Sequence, residues 1–289
     1  MRAAVRGTEI YFDVEGAGLV PEDGGPSHGG GMREKRPALV IHGGPGGDHS
    51  GFKPAFTPLS ETLQLVYFDH RGQGRSGRGD PALYTLDENV EDMEALRRHL
   101  GLGPVVSIGT SYGGMVAMAH AARYPGAVSH LVLCVTAAHG GFIERAQAIV
   151  EARGNAAQKR VCATLWAGGF RTSEALSEYY EVMGPLYSTR FRSVAAGARR
   201  GRPEPEPLNR AFGPGGFLRT MDLRPELPRI VAPTLILAGR EDWICAPDFS
   251  EEIHGLMPGS RLVVFEGASH SLRVDVPEEL RREIVGFVA

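Results

Sequence analysis

The chain has 289 residues, with 31 Lys and Arg against 34 Asp and Glu, a formal net charge of −3, 42% hydrophobic and 22% charged residues. This is the composition of an ordinary globular protein long enough for a sizeable core. No basic run exceeds Arg199-Arg200, so the electrostatic footprint of a nucleic-acid binder is missing and no nucleic-acid partner is expected.

The first residues, Met1 to Glu9, carry Arg6 and Glu9 where a secretory leader needs an apolar stretch. The longest apolar run, around Leu131 to Ala138, is far short of the roughly 18 residues that span a bilayer. A cytoplasmic protein with no membrane partner is expected. Cys134, Cys162 and Cys245 are odd in number and scattered, which fits reduced thiols and neither a disulfide framework nor a metal site.

In chain order, Arg2 to Val5 and Glu9 to Val14 alternate around Arg6-Gly7-Thr8 and predict a hairpin. Residues 16–37 are rich in glycine, proline and charge, with too little apolar surface to bury, and read as a long mobile surface loop. Short apolar runs then follow at Ala38–Ile41, Leu63–Phe68, Val105–Ile108, Leu131–Val135, Thr234–Ala238 and Leu262–Phe265, as in parallel strands covered on both faces. Between them, Thr85-Leu86-Asp87-Glu88 has capping-box form ahead of Val90, Met93, Leu96 and Leu100 at helical spacing. Met115–Tyr124 and Pro277–Val288 predict further helices. The alternation means an α/β fold.

It lapses between about His139 and Leu223, where aromatic residues ride on helix-like segments interrupted by Pro203-Glu204-Pro205-Glu206-Pro207 and Gly213-Pro214-Gly215-Gly216. The expected organisation is a core of residues 1–138 and 224–289 with a helical lid inserted over 139–223.

Gly109-Thr110-Ser111-Tyr112-Gly113 lies between a predicted strand and a predicted helix, the context of a nucleophile elbow that exposes a serine hydroxyl at a strained turn. A serine needs a base, and the base a third group to orient it. In the chain order serine, acid, histidine, the acid follows a later strand and the histidine the last one. His270 is the candidate base; Asp242 is favoured as the acid over Glu241, with Asp69 as a rival more suited to hydrogen-bonding its own loop. An oxyanion developing on a carbonyl needs backbone donors. Those of Gly44, in His42-Gly43-Gly44-Pro45-Gly46-Gly47, and of Tyr112 are the candidate pair. The Lys-Ser/Thr of a phosphate-binding loop is absent, and the pattern requires no cofactor and no metal.

These motifs, with Asp69-His70-Arg71-Gly72-Gln73-Gly74-Arg75-Ser76, resemble the α/β-hydrolase superfamily, and the His-Gly-Gly-Pro-Gly form resembles its proline iminopeptidase branch. The resemblance implies a mostly parallel eight-stranded sheet flanked by helices with a helical lid. It also implies a serine hydrolase that releases an amino-terminal prolyl or small aminoacyl group from a small-molecule or short-peptide amide through an acyl-enzyme. A carboxylesterase or lactonase is the alternative, and a non-catalytic ligand-binding protein of the same fold a more distant one. Relatives of that branch hold the free amino end with lid carboxylates. Glu174, Glu178 and Glu181 share one helix face and are the candidates, against the reading that they form a solvated face opposite Leu176, Tyr179, Tyr180 and Met183.

Overall fold

The computed structural model describes residues 1–21, 31–193 and 201–289. Ten strands appear among them: β1 (Arg2–Val5), β2 (Thr8–Glu15), β3 (Leu19–Pro21), β4 (Met32–Glu34), β5 (Pro37–Ile41), β6 (Gln64–Phe68), β7 (Val105–Thr110), β8 (Val128–Cys134), β9 (Thr234–Gly239) and β10 (Arg261–Phe265). Eight form one sheet in the order β1-β2-β6-β5-β7-β8-β9-β10. The pairs β1–β2 and β2–β6 are antiparallel, and every later pair is parallel.

The short apolar runs of β5 through β9 behave as strands buried on both faces, while edge strand β10 is half-buried. Leu39 and Ile41 of β5 join one core cluster and Ala38 and Val40 the other, and β6 divides Val66 and Phe68 from Leu65 and Tyr67 in the same way. Period-two alternation sends neighbouring side chains to opposite faces, so an unpolarised run is what a helix layer on each side demands.

The helices are α1 (Lys53–Phe56), α2 (Leu86–His99), α3 (Tyr112–Arg123), α4 (Phe142–Arg153), α5 (Ala156–Trp166), α6 (Ser173–Tyr187), α7 (Pro205–Phe212), α8 (Phe217–Thr220), α9 (Pro247–Leu256), α10 (Leu272–Asp275) and α11 (Pro277–Val288). At the start of α2 the Thr85 hydroxyl accepts from Glu88 N at 3.2 Å, while the Glu88 carboxylate pairs with Arg6 at 2.8 Å. The hydroxyl half of the expected capping box is therefore present, with the acid turned to β1's turn.

Three expectations need correction. Within 16–37, read as one loop, Leu19–Pro21 and Met32–Glu34 pair as an antiparallel ribbon. Backbone pairing needs no buried side chains, which is all that the composition excluded; residues 22–30 of that stretch lie outside the described residues. The proline-rich stretch at 203–207 does not interrupt helix formation throughout, because α7 begins at Pro205, where a missing N–H costs nothing. Val135, read as strand, turns to φ 45° just past β8.

Between β8 and β9 the βα alternation gives way to α4 through α8. The chain enters and leaves this helical segment through a narrow neck: His139 bridges Asp222, Gly140 N donates to Met221 O at 2.8 Å and Leu223 N to Ala138 O at 2.7 Å. Phe142, Leu165, Tyr179, Leu208, Phe212 and Leu218 of the segment share a buried cluster with Tyr112 and Met115 of α3. The segment thus packs over the start of α3.

Candidate active site

The sheet reverses its order of growth at β5, with β6 on one side and β7 on the other. The crevice outside the carboxyl ends of such strands is where ligands bind in open α/β sheets. Ser111 follows β7, the His42–Gly47 loop follows β5, Asp242 follows β9 and His270 follows β10, so the candidate residues gather at one sheet edge.

Ser111 has φ 56° and ψ −123°, a combination L side chains rarely adopt and one that costs on the order of 1–3 kcal/mol. The surroundings hold it there. Ser111 N donates to Cys134 O at 2.9 Å, and its carbonyl accepts from Gly114 N and from Thr136 Oγ1, each at 2.8 Å. The flanking glycines allow the sharp turn. A Cβ on Gly109 would lie 2.3 Å from Gly113 O, and one on Gly113 would lie 2.2 Å from Ile41 O.

His270 Nδ1 lies 2.8 Å from Asp242 Oδ2, with both residues buried. The other oxygen, Oδ1, accepts from Ile244 N at 2.9 Å and Cys245 N at 3.0 Å, which aims Oδ2 at the imidazole. A carboxylate can only accept, so Nδ1 carries the proton and Nε2 is left as the acceptor. Tyr187 meets the His270 ring edge-on at 5.5 Å. Both chain neighbours of His270 are clamped: Ser271 N donates to Tyr187 O at 2.8 Å, and Ser269 Oγ to Leu186 O at 2.6 Å.

The rival acids point elsewhere. Glu241 faces solvent beside Arg153 at 3.5 Å. Asp69 accepts from His49 N at 2.9 Å, His49 Nδ1 at 2.7 Å and Arg75 N at 2.8 Å. Burial would raise its pKa, but the hydrogen bond from His49 and the nearby His42 and His49 imidazoles outweigh this and bring it down to about 2.

The loop after β5 is built on imidazoles. His70 N donates to His42 Nε2 at 3.2 Å, so His42 Nδ1 bears the hydrogen and donates to Gly43 O at 2.8 Å. Burial lowers the proton affinity of His42, and of His70 further. Gly46 N donates to Gln73 Oε1 at 2.7 Å and Gly46 O accepts from Glu204 N at 2.8 Å. Among the described residues no protein acceptor takes the Gly44 N–H, and Tyr112, as the first residue of α3, has none within its helix. His42, His70 and Gln73 were not singled out individually from the sequence; the Asp69 to Ser76 motif that holds two of them was the available signal.

A cavity of about 530 Å³ opens over these elements, and Gly43, Gly44, Ser111, Tyr112 and His270 all line it. Glu174 and Glu178 are exposed, Glu181 is half-buried and meets the Ser193 hydroxyl, and none of the three is among the cavity's lining residues. The turn of α6 that does face the cavity presents Ser177, Tyr180 and Gly184 instead. A serine hydroxyl on the cavity wall, an imidazole with a free acceptor nitrogen and two available amides around one cavity are the parts that acyl transfer uses.

Residues 37–275 match the model of the alpha/beta hydrolase fold family. The chain belongs to that family. This α/β hydrolase is 31% identical over 275 residues to the proline iminopeptidase PfmaB of Pestalotiopsis fici, covering 92% of this chain and 94% of the relative. It is 27% identical over 274 residues to a proline iminopeptidase of Saccharolobus solfataricus, covering 88% and 84%. Among solved structures, the proline iminopeptidase of Mycobacterium smegmatis superposes with a TM-score of 0.74 at 20% identity, covering all of this chain and 97% of the other.

Proposed function

We propose that this α/β hydrolase is a serine hydrolase that works through an acyl-enzyme, with Ser111 as nucleophile, His270 as general base and Asp242 as the group that orients it. The observation that carries the reading is the Asp242–His270 pair at 2.8 Å on the cavity that also exposes the strained Ser111. His270 Nε2 takes the hydroxyl proton as Ser111 Oγ bonds to the carbonyl carbon. The electron pair moves to the carbonyl oxygen, where the Gly44 and Tyr112 N–H groups meet it. The tetrahedral species collapses, the bond to the leaving group breaks, and the imidazolium gives that group its proton. Water then repeats the sequence on the acyl-enzyme and releases the acid. In this reading residues 139–223 are a lid that walls the acyl site and excludes water.

For substrate, the similarity to proteins named proline iminopeptidases supports cleavage of an amide after an amino-terminal prolyl or small aminoacyl group. A second reading, hydrolysis of small esters or lactones, is favoured by the lining of the cavity. A cationic amino end is costly to desolvate unless a carboxylate meets it. The Glu174, Glu178 and Glu181 side chains stand outside the cavity, and Met115, Phe142, Leu165, Phe212 and Leu218 make its buried wall apolar. A panel of prolyl and alanyl anilides against short acyl aryl esters separates the two. Anilide cleavage that is abolished by acetylating the substrate amine supports the iminopeptidase; ester turnover without anilide cleavage rejects it for the esterase.

A further inference from the structure

The charged side chains around the cavity are unbalanced. Among the described residues, Arg192, Arg202 and Arg273 line it against a single carboxylate outside the Asp242–His270 pair, Asp48. This runs against the protein as a whole, whose formal charge is −3. Asp48 is also already engaged: Oδ1 accepts from Ser50 N at 2.8 Å and Ser50 Oγ at 2.5 Å, and Oδ2 from Arg202 N at 2.6 Å. It has little left to offer an incoming cation. Among the described residues none of the three guanidiniums has a carboxylate partner within salt-bridge distance. Arg273 stands three residues past His270, donates from Nε to Gly51 O at 3.2 Å and lies 4.8 Å over the Phe52 ring. Those contacts fix the plane of the guanidinium and engage only one of its three nitrogens.

Burial divides the cavity into two ends. Met115, Phe142, Leu165, Leu208, Phe212 and Leu218 are buried, whereas Arg192 and Arg202 are exposed and Arg273 is half-buried. The arginines therefore ring the solvent end. An acyl group held on Ser111 remains inside while the leaving part departs to solvent, so a group recognised at that end belongs to the leaving part.

We propose that this opening is an anion subsite: the substrate is an ester or amide with an apolar acyl part whose leaving part carries an anionic group, of which a carboxylate is the simplest, met by Arg273 and Arg202. A guanidinium fork matches a carboxylate by geometry as well as charge. The inference rests on the serine-hydrolase reading and is indifferent to its amide or ester form. In the amide form the leaving part is an amino acid that keeps its carboxylate, and in the ester form it is a hydroxy acid.

The test reads binding without chemistry. para-Butoxybenzoate and para-butoxybenzyl alcohol have the same apolar tail, and neither holds an ester or amide bond, so their affinities by calorimetry report the cavity's charge preference whether or not Ser111 is a nucleophile. The benzoate is expected to bind at least about fivefold more tightly at low ionic strength, with the advantage shrinking as salt is added. Arg273→Gln should bring the ratio toward one, and Arg202→Gln, at an exposed position, should reduce it too. Equal affinity of the two compounds, tighter binding of the alcohol, or a preference that survives both substitutions overturns the subsite. Failure of Ser111 to react with an acylating probe would instead overturn the serine-hydrolase reading, and the two outcomes are read independently.

Discussion

Ser269 N donates to Asp275 Oδ2 at 2.8 Å, so a buried carboxylate holds the residue next to His270. Its other oxygen accepts from the Ser188 hydroxyl and, at 3.2 Å, from Arg190 N just past α6. Asp275 therefore joins the segment just past α6 to the loop that presents the imidazole. Small displacements of a base are costly, about 10²-fold for an ångström. Asp275→Ala is expected to lower kcat on a short acyl ester by about tenfold or more, and labelling by a fluorophosphonate in proportion, with KM little changed. Parallel loss of labelling separates a displaced base from weakened substrate binding. A folded Asp275→Ala enzyme with unchanged kcat and labelling rate would remove Asp275 from any positioning role.

The two adjacent acids after β9 make a contrast. Asp242 is buried against His270, and Glu241 faces solvent beside Arg153. Asp242→Asn presents an amide to Nδ1 and favours the wrong tautomer, so kcat should fall by roughly 10²- to 10⁴-fold. Glu241→Gln should stay within about twofold of the parent, as exposed substitutions away from such features do. Reversal of this order in steady-state assays would transfer the orienting role.

The elbow makes a prediction about stability. A Cβ at Gly113 would sit 2.2 Å from Ile41 O, a backbone atom in the centre of the sheet that has no room to yield. Gly113→Ala must lift α3 from β5, and its cost should be about 2 kcal/mol or more in denaturant unfolding. A variant as stable as the parent would mean that the helix and strand tolerate separation.

Asp69 links the loops to pH. Its pKa is lowered from an ordinary 3.8 to about 2, and a depressed carboxylate stabilises the fold above its unfolded value and loses that contribution as pH falls through the folded one. The shift corresponds to about 2 kcal/mol. The stability gap between the parent and Asp69→Asn should be full at pH 7, begin to close below about pH 5 and be nearly gone by about pH 1. A gap that persists unchanged at low pH would show that the lost contacts, and not the charge, carry the difference.

The core was legible where periodicity and turn chemistry act locally. Pro277–Val288 matches α11 at both ends, because a proline at the first turn marks the start and the apolar spacing marks the face. The six central runs match strands to within a few residues, since burial on both faces leaves an unmistakable Val, Ile and Leu pattern. The β3–β4 ribbon was missed because its side chains are exposed and only the backbone pairs. Asp275 and Arg273 were missed for another reason. Within Leu272-Arg273-Val274-Asp275 nothing in residue type separates a surface charge from a buried brace or a cavity wall. Their neighbours come from α6 and from Gly51 and Phe52, far away in the chain, and only the folded arrangement brings them together.

The central claim is that Ser111 forms the covalent acyl-enzyme. Intact-mass measurement after exposure to a fluorophosphonate tests it most directly. The account predicts addition of one phosphonyl group to the parent, mapped to the peptide containing Ser111, and none to Ser111→Ala. Labelling of Ser111→Ala to the same extent as the parent would contradict it.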